Sequence, residues 1–188
     1  AISENTGVTS IAYDPRNPDV MYAASYQRRR HVGLLIGGGP ESAIYMTSDG
    51  GRSWKQLTNG LPAVDKGRIA LAVSPQKPDV VYALVCAAGD QSGFFRSADR
   101  GETWTRQSGY EVVDPQYYGE IYPDPHQYDR VYAIDSTIHV TEDGGQKFQP
   151  VPWRIHVDHH AIVFDPTDEN HLLVGNDGGL YESYDHGE

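Results

Sequence analysis

Three side chains near the end of the chain have types and spacing that could support chemistry. His156, Asp158 and His160 recur at every second position, and alternate residues of a strand point to the same face. On one face they could bind a divalent metal ion or act as acid and base near neutral pH. The alternative is a hydrogen-bonded His/Asp layer that orders the inner wall of the fold. We assign no metal and no cofactor, and we take His156, His159 and His160 as candidate ligand contacts.

A basic run follows Tyr26. Arg28, Arg29, Arg30 and His31 open a long predicted loop that continues to Ser42. Three arginines in a chain of net charge −11 could hold a carboxylate or phosphate with paired N–H donors. The alternative is that they pair with neighbouring carboxylates or contact further repeats of the protein. The run is therefore a second candidate ligand site.

Tyrosines and carboxylates lie side by side around Tyr117, Tyr118 and Glu120. Such a set suits sugar binding through ring stacking and hydroxyl hydrogen bonds, and it equally suits a packed interface. Glu120, Asp158 and Asp177 are the candidate catalytic carboxylates. Asp177 belongs to an Asn-Asp-Gly-Gly segment that reads first as a tight hairpin turn of type I′.

Composition excludes several classes of function. The net charge of −11 disfavours nucleic acid and anionic membrane as main partners. Cys86 is the single cysteine, so an intrachain disulfide and a thiol-rich metal site are excluded. No apolar stretch approaches the length of a membrane-spanning helix. Residues 1–7 do not resemble a signal peptide, so a secretion signal would lie outside this sequence.

The elements that position these residues are indicated by an internal repeat. The pattern S/T-x-D-x-G occurs four times, at roughly 40–50-residue intervals, and three copies continue to an aromatic residue. An aspartate in such a turn can accept backbone N–H groups, and the glycine supplies a positive φ. We interpret these residues as structural. They are Asp49, Gly51 and Trp54; Asp99, Gly101 and Trp104; Asp143, Gly145 and Phe148; and Asp185 and Gly187.

A second repeat accompanies the first. Four β-rich stretches each run into a D/S-P turn and a further strand, beginning at Ile11, Leu71, Ile121 and Ile162. Together the two repeats predict four short strands per unit, with the S/T-x-D-x-G turn between strands three and four. In the second unit these strands are predicted at 68–73, 80–87, 94–97 and 104–107. The fold class is therefore all-β, a β-propeller of about four blades with four antiparallel strands each.

The predicted blade limits give part of one propeller. Residues 1–7 are expected to be the last strand of a preceding blade; blades follow at 8–58, 67–108 and 116–152, with an incomplete blade at 157–188. A blade buries its faces on its neighbours. We therefore expect remaining blades of the same propeller, or a partner chain, as partners.

The repeats resemble known families. The four boxes are similar to the Asp-box (BNR) repeats of sialidases. The D-P-x-x-P-D-V-x-Y-A element that begins at Asp14 resembles xyloglucan-degrading glycoside hydrolases, and sortilin-like receptor propellers with their bacterial relatives. The resemblance to sialidases implies that ligands bind the face opposite the boxes. The resembling hydrolases use paired acidic residues in a cleft between two propellers, and we assign none of those residues to a position in this chain.

Three functions are compatible with these observations. The first is an extracytoplasmic binding module or scaffold for a protein, peptide or glycan, held on the face opposite the Asp boxes. The alternative is a glycoside hydrolase whose acid and base lie partly outside this segment. The third is an assembly scaffold that docks a partner through the arginine run.

Overall fold

The computed structural model describes residues 2–187, and they form four antiparallel β-sheets. The first sheet contains β1 (Thr6–Asp14), β2 (Asn17–His31), β4 (Ile44–Thr47) and β5 (Lys55–Leu57), with β3 (Leu34–Gly37) paired to the end of β2. The second contains β6 (Lys66–Val73), β7 (Val81–Ala87), β8 (Gly93–Ser97) and β9 (Thr105–Ser108).

The other two sheets repeat this order. The third contains β10 (Glu120–Pro123), β11 (Val131–Ile134), β12 (Ile138–Thr141) and β13 (Gln149–Pro150). The fourth contains β14 (His159–Phe164), β15 (Leu172–Asn176) and β16 (Gly179–Ser183). The first strands of successive sheets contact one another. The fold is thus a β-propeller arrangement of four blades, as the repeats predict, and no helix that could cross a membrane occurs among residues 2–187.

The turn between the first two strands of each sheet is held by the residue that precedes its proline. The Asp14 carboxylate accepts the backbone N–H of Arg16 at 2.9 Å, and Asp124 accepts that of His126 at 2.8 Å. In the second sheet, Ser74 Oγ accepts the N–H of Lys77 at 3.3 Å. Side-chain acceptors thereby satisfy donors that the reversing backbone leaves unpaired.

The Asp boxes follow the third strand of each sheet and are held by a shared set of hydrogen bonds; in the first three sheets they connect the third strand to the fourth. In the second box, Ser97 Oγ donates to Asp99 Oδ1 at 2.7 Å and accepts the N–H of Gly101 at 2.7 Å. Asp99 Oδ1 also accepts the N–H of Thr103 at 2.8 Å. Gly101 has φ 88°, and Arg100 before it has φ 60°. The box therefore needs two successive left-handed residues, and the second of them is always glycine.

Aromatic residues of the second and third boxes pack their sheets onto the preceding ones. Trp104 is 4% exposed and belongs to the core cluster that contains Tyr22 and Leu57 of the first sheet. Phe148 meets the ring of Phe94 edge-on, with a centroid distance of 5.2 Å, and stacks on Tyr110 at 4.0 Å. The apolar core is thus divided into clusters between successive sheets.

The observed strands of the second sheet lie within two residues of their predicted limits. The N-terminal prediction differs more. Thr6 and Gly7 pair with Gln27 and Tyr26 and so belong to β1 of the first sheet, not to a separate strand of a preceding blade. Ala1 and Glu188, which the predicted blade limits include, lie outside the described residues.

Candidate functional site

The candidate residues lie at one edge of the sheets, opposite the Asp boxes. The boxes connect third and fourth strands, so they share an edge with the turns between first and second strands. The other edge carries the starts of first strands and the ends of second strands. It contains the end of β2, the segment before β10, the start of β14 and the turn after β15.

Five side chains form a continuous row across this edge, which we call the tyrosine–histidine row: Arg30, Tyr117, Tyr118, His160 and Asp177. Arg30 donates a hydrogen bond to the Tyr117 hydroxyl, and its guanidinium lies 5.7 Å from the Tyr117 ring centroid. The rings of Tyr117 and Tyr118 are 6.1 Å apart, and those of Tyr118 and His160 are 5.7 Å apart. His160 Nε2 donates to Asp177 Oδ1 at 2.8 Å. The row joins residues of the first, third and fourth sheets and the segments beside them.

Asp158 adjoins this row in a strained conformation. Its φ is 65°, a left-handed value that costs a non-glycine residue about 1–2 kcal/mol. Its backbone N–H donates to the Ser136 carbonyl, and its own carbonyl accepts the N–H of Asp177, both at 3.3 Å. A hydrogen bond with the Asp158 carboxylate raises the pKa of Tyr118 to about 12, so the phenol stays protonated. Tyr118 is a hydrogen-bonding and stacking group at neutral pH.

The prediction that His156, Asp158 and His160 share one strand face is wrong. β14 begins only at His159, and the left-handed turn at Asp158 interrupts the alternation before it. His156 Nδ1 donates to the Val157 carbonyl at 2.8 Å instead of joining the others. Within residues 2–187, no three His, Cys, Asp or Glu side chains converge as a metal site would require.

His159 and Glu120 are placed inside the sheet edge. His159 is 4% exposed, and burial lowers its pKa, which favours the neutral imidazole. Glu120 forms an ion pair with Arg68, and both side chains are mostly buried. Glu120 is therefore occupied as a structural partner, whereas Asp177 belongs to the row and Asp158 lies beside it.

The arginine run occupies a hairpin where the sequence predicted a loop. β2 continues through His31 and pairs with β3 across the two residues Val32 and Gly33. No carboxylate within residues 2–187 forms an ion pair with Arg28, Arg29 or Arg30. In the described chain, therefore, these arginines do not pair with neighbouring acidic residues, which was the alternative interpretation of the run.

The segment that carries Asp177 is a two-residue hairpin turn, as predicted, but not of type I′. Asn176 pairs with Gly179 across the turn. A type I′ turn needs positive φ at both central residues, yet neither Asp177 nor Gly178 has one, and Gly179 after them has φ 133°. The Asn176 side chain accepts the N–H of Gly178 at 2.9 Å, and this contact supports the turn instead.

The fold and the boxes define a β-propeller of the Asp-box class, and a family match narrows this further. Residues 92–188, more than half of the chain, match the Sortilin-Vps10 family, described as sortilin, neurotensin receptor 3. The chain belongs to this family.

The chain is also similar in sequence to curated proteins and similar in structure to solved proteins. The chain is 26% identical over 205 residues to a probable oligoxyloglucan-reducing end-specific xyloglucanase of Neosartorya fischeri, and 25% identical over 199 residues to such an enzyme of Emericella nidulans. Each match covers 95% of this chain and 23% of the relative, so the chain spans about a quarter of their length. An ancestral GH74 enzyme superimposes with a TM-score of 0.66 at 18% identity, over 100% of this chain and 24% of that one, which shows the shared fold.

Proposed function

We propose that this chain is part of an extracytoplasmic propeller that binds an oligosaccharide along the tyrosine–histidine row. The observation that carries the proposal is the row itself. It brings two tyrosine rings, a histidine and a carboxylate together on the sheet edge opposite the structural Asp boxes.

The chemistry of the row suits a neutral sugar chain. Tyr117 is 49% exposed, so its ring can accept the apolar face of a pyranose. His160 and Asp177 are also solvent-accessible and can exchange hydrogen bonds with hydroxyl groups. Because both curated relatives are named for oligoxyloglucan, xyloglucan oligosaccharides are the first ligand class to test.

Titration calorimetry of the full-length protein with a xyloglucan heptasaccharide tests this proposal. Tyr117→Ala removes the exposed ring and should weaken binding at least about tenfold, since each stacked ring contributes roughly 1–1.5 kcal/mol or more. Tyr117→Phe keeps the ring and should stay within about threefold of wild type. Wild-type protein that shows no binding, or equal affinity in Tyr117→Ala, contradicts the proposal.

Hydrolysis is the second candidate function, and Asp158 is the observation that favours it. Backbone strain is tolerated most often at functional sites, and this strained residue presents a carboxylate beside the row. If the full-length protein cleaves xyloglucan oligosaccharides, Asp158→Asn should lower the rate by at least about a hundredfold. Asp90→Asn, an exposed carboxylate on the same edge of the second sheet, should leave the rate unchanged. Equal effects of the two substitutions would remove Asp158 from the mechanism.

We also propose that further blades cover the two outer sheets. Val8, Ile11 and Trp54 are exposed on the outer face of the first sheet, and Val163 and Leu180 are exposed on the fourth. The inner sheets bury their apolar faces on one another. The greater length of the curated relatives supports blades of the same protein as the covering partner.

A further inference from the structure

A two-stranded hairpin projects from the first sheet, and we call residues 27–37 the basic hairpin. The pairing of β2 with β1 ends at Gln27, and beyond it β2 pairs with β3 from Arg28↔Gly37 to His31↔Leu34. A two-stranded ribbon is marginally stable in water without a covering layer. We therefore expect another surface to pack against the hairpin and stabilise it.

The cations of the basic hairpin stand out in an acidic chain. Arg28, Arg29 and Arg30 have no ion-pair partner in the part of the chain that the structure describes, and the buried Nε of Arg28 has no hydrogen-bond acceptor there. Six of the other twelve Lys and Arg side chains are paired with carboxylates: Arg16, Lys55, Arg68, Arg96, Arg100 and Arg130. The six that form no ion pair within residues 2–187 are separated from one another along the chain, whereas Arg28, Arg29 and Arg30 are consecutive. Charge complementarity therefore favours an anionic partner.

Apolar residues and an open strand edge accompany these cations. Val32 is fully exposed at the tip, and Leu34 and Leu35 are about half exposed. β3 pairs with β2 on one side, and no other strand of the described chain pairs with it. Alternate residues of an antiparallel strand direct N–H and C=O groups to each side, so the free edge of β3 presents unpaired backbone groups.

We infer that the basic hairpin binds an extended acidic polypeptide segment, which adds as a strand to the free edge of β3. Backbone pairing selects a polypeptide over a glycan or a lipid surface. Leu35 pairs with Arg30, and Ile36 pairs with Arg29. Paired residues share a face, so each face of the ribbon presents one apolar side chain beside one arginine. The added strand would lie about 10 Å from β2, within reach of the long arginine side chains for glutamates of the peptide. The site shares only Arg30 with the tyrosine–histidine row.

A designed peptide tests this inference on the full-length protein. The probe is a fluorescein-labelled octapeptide of alternating glutamate and valine, and anisotropy measures its affinity. Arg29→Glu reverses one charge of the hairpin outside the row and should weaken binding at least about tenfold. The matched control is Arg52→Glu, the same charge change on the exposed turn of the first Asp box, which should leave the affinity within about twofold.

A backbone control separates strand addition from attraction between charges. The same peptide with alternate amides N-methylated keeps its charge but loses donors, and it should bind at least about tenfold more weakly. Leu35→Ser should also weaken binding of the unmodified peptide, and circular dichroism checks that each variant is folded.

Four results would overturn the inference. The first is no binding of the unmodified peptide, and the second is equal affinity for its N-methylated form. The third is retained binding in both Arg29→Glu and Leu35→Ser. Preference for heparin or for phosphatidylserine vesicles over the peptide would also contradict it, because neither ligand pairs with a strand edge.

Discussion

His171 shows how a single side chain can couple this fold to pH. Its Nδ1 donates to Asp165 Oδ2 at 3.1 Å and its Nε2 donates to Glu182 Oε1 at 2.8 Å. The ring also stacks on Tyr184, with a centroid distance of 4.6 Å. Two carboxylates that accept both ring N–H groups favour the imidazolium and raise the pKa of His171.

The raised pKa determines the direction in which the contribution of His171 to folding stability changes with pH. The contribution of this histidine to stability should be complete below the unfolded pKa of about 6.5. It should be lost as the pH rises through the higher folded pKa. Urea unfolding of wild type and His171→Gln at pH 5.5 and pH 9 measures this, and the difference between the two proteins should be larger at pH 5.5. A difference that grows toward pH 9, or a similar pH dependence in the control His31→Gln, would contradict the account.

At the residue scale, the sequence identified all five members of the row as candidates but not how they meet. Tyr117, Tyr118, His160 and Asp177 were each predicted as candidates, but from separate segments. The contact of Arg30 with Tyr117 joins positions far apart in the chain, and it depends on how the sheets pack. The left-handed turn at Asp158 was not predictable from its local sequence, because aspartate adopts that conformation at only a minority of its positions.

At the element scale, the Asp box depends on a glycine that is constrained twice. Gly101 has φ 88°, and a Cβ there would lie 2.8 Å from Leu57 Cδ1 and 3.3 Å from Tyr22 Cε1. Gly89 has φ 67°, but a Cβ there would meet no atom of the described chain within 4 Å. A comparison of the two positions therefore distinguishes the effect of backbone strain from the effect of close packing between two sheets.

This pair gives a prediction for stability. Gly89→Ala should lower the free energy of unfolding by about 1–2 kcal/mol through backbone strain alone. Gly101→Ala should lower it by about 1–3 kcal/mol more, because the added methyl group forces Leu57 or Tyr22 aside. Chemical denaturation of the two variants checks this. Equal losses would mean that the box glycine is required for its conformation and not for sheet packing.

The strands themselves were predictable because local signals repeat. Proline turns and Asp boxes punctuate each unit, so the limits of the second sheet fall within two residues of the prediction. The basic hairpin was predicted as a loop because it occurs in one repeat only. A two-residue Val-Gly turn between β-forming residues was the signal for it, with Gly33 at φ 77°.

At the scale of the whole molecule, the two box tryptophans report on what covers the first sheet. Trp104 is 4% exposed between two sheets, whereas Trp54 is 42% exposed beside a groove of about 420 Å³ lined by Val8, Ile11 and Tyr45. The two occupy equivalent positions in successive boxes. Trp54 therefore lies where Trp104 would lie if the preceding sheet were removed.

If a further blade covers this groove, the two tryptophans should be equally important in the full-length protein. Trp104→Ala should cost about 3–5 kcal/mol of unfolding free energy, and Trp54→Ala should cost about the same. Chemical denaturation of the full-length variants measures both. A cost near 1 kcal/mol or less for Trp54→Ala would show that the face stays open to solvent.

The position of a bound sugar tests the central claim most directly. A crystal structure of the full-length protein with a xyloglucan heptasaccharide should place a pyranose ring about 4 Å from the ring of Tyr117. Hydroxyl groups of the sugar should lie within hydrogen-bond distance of His160 or Asp177. A heptasaccharide bound at the Asp-box edge, with the tyrosine–histidine row left free, would contradict the account.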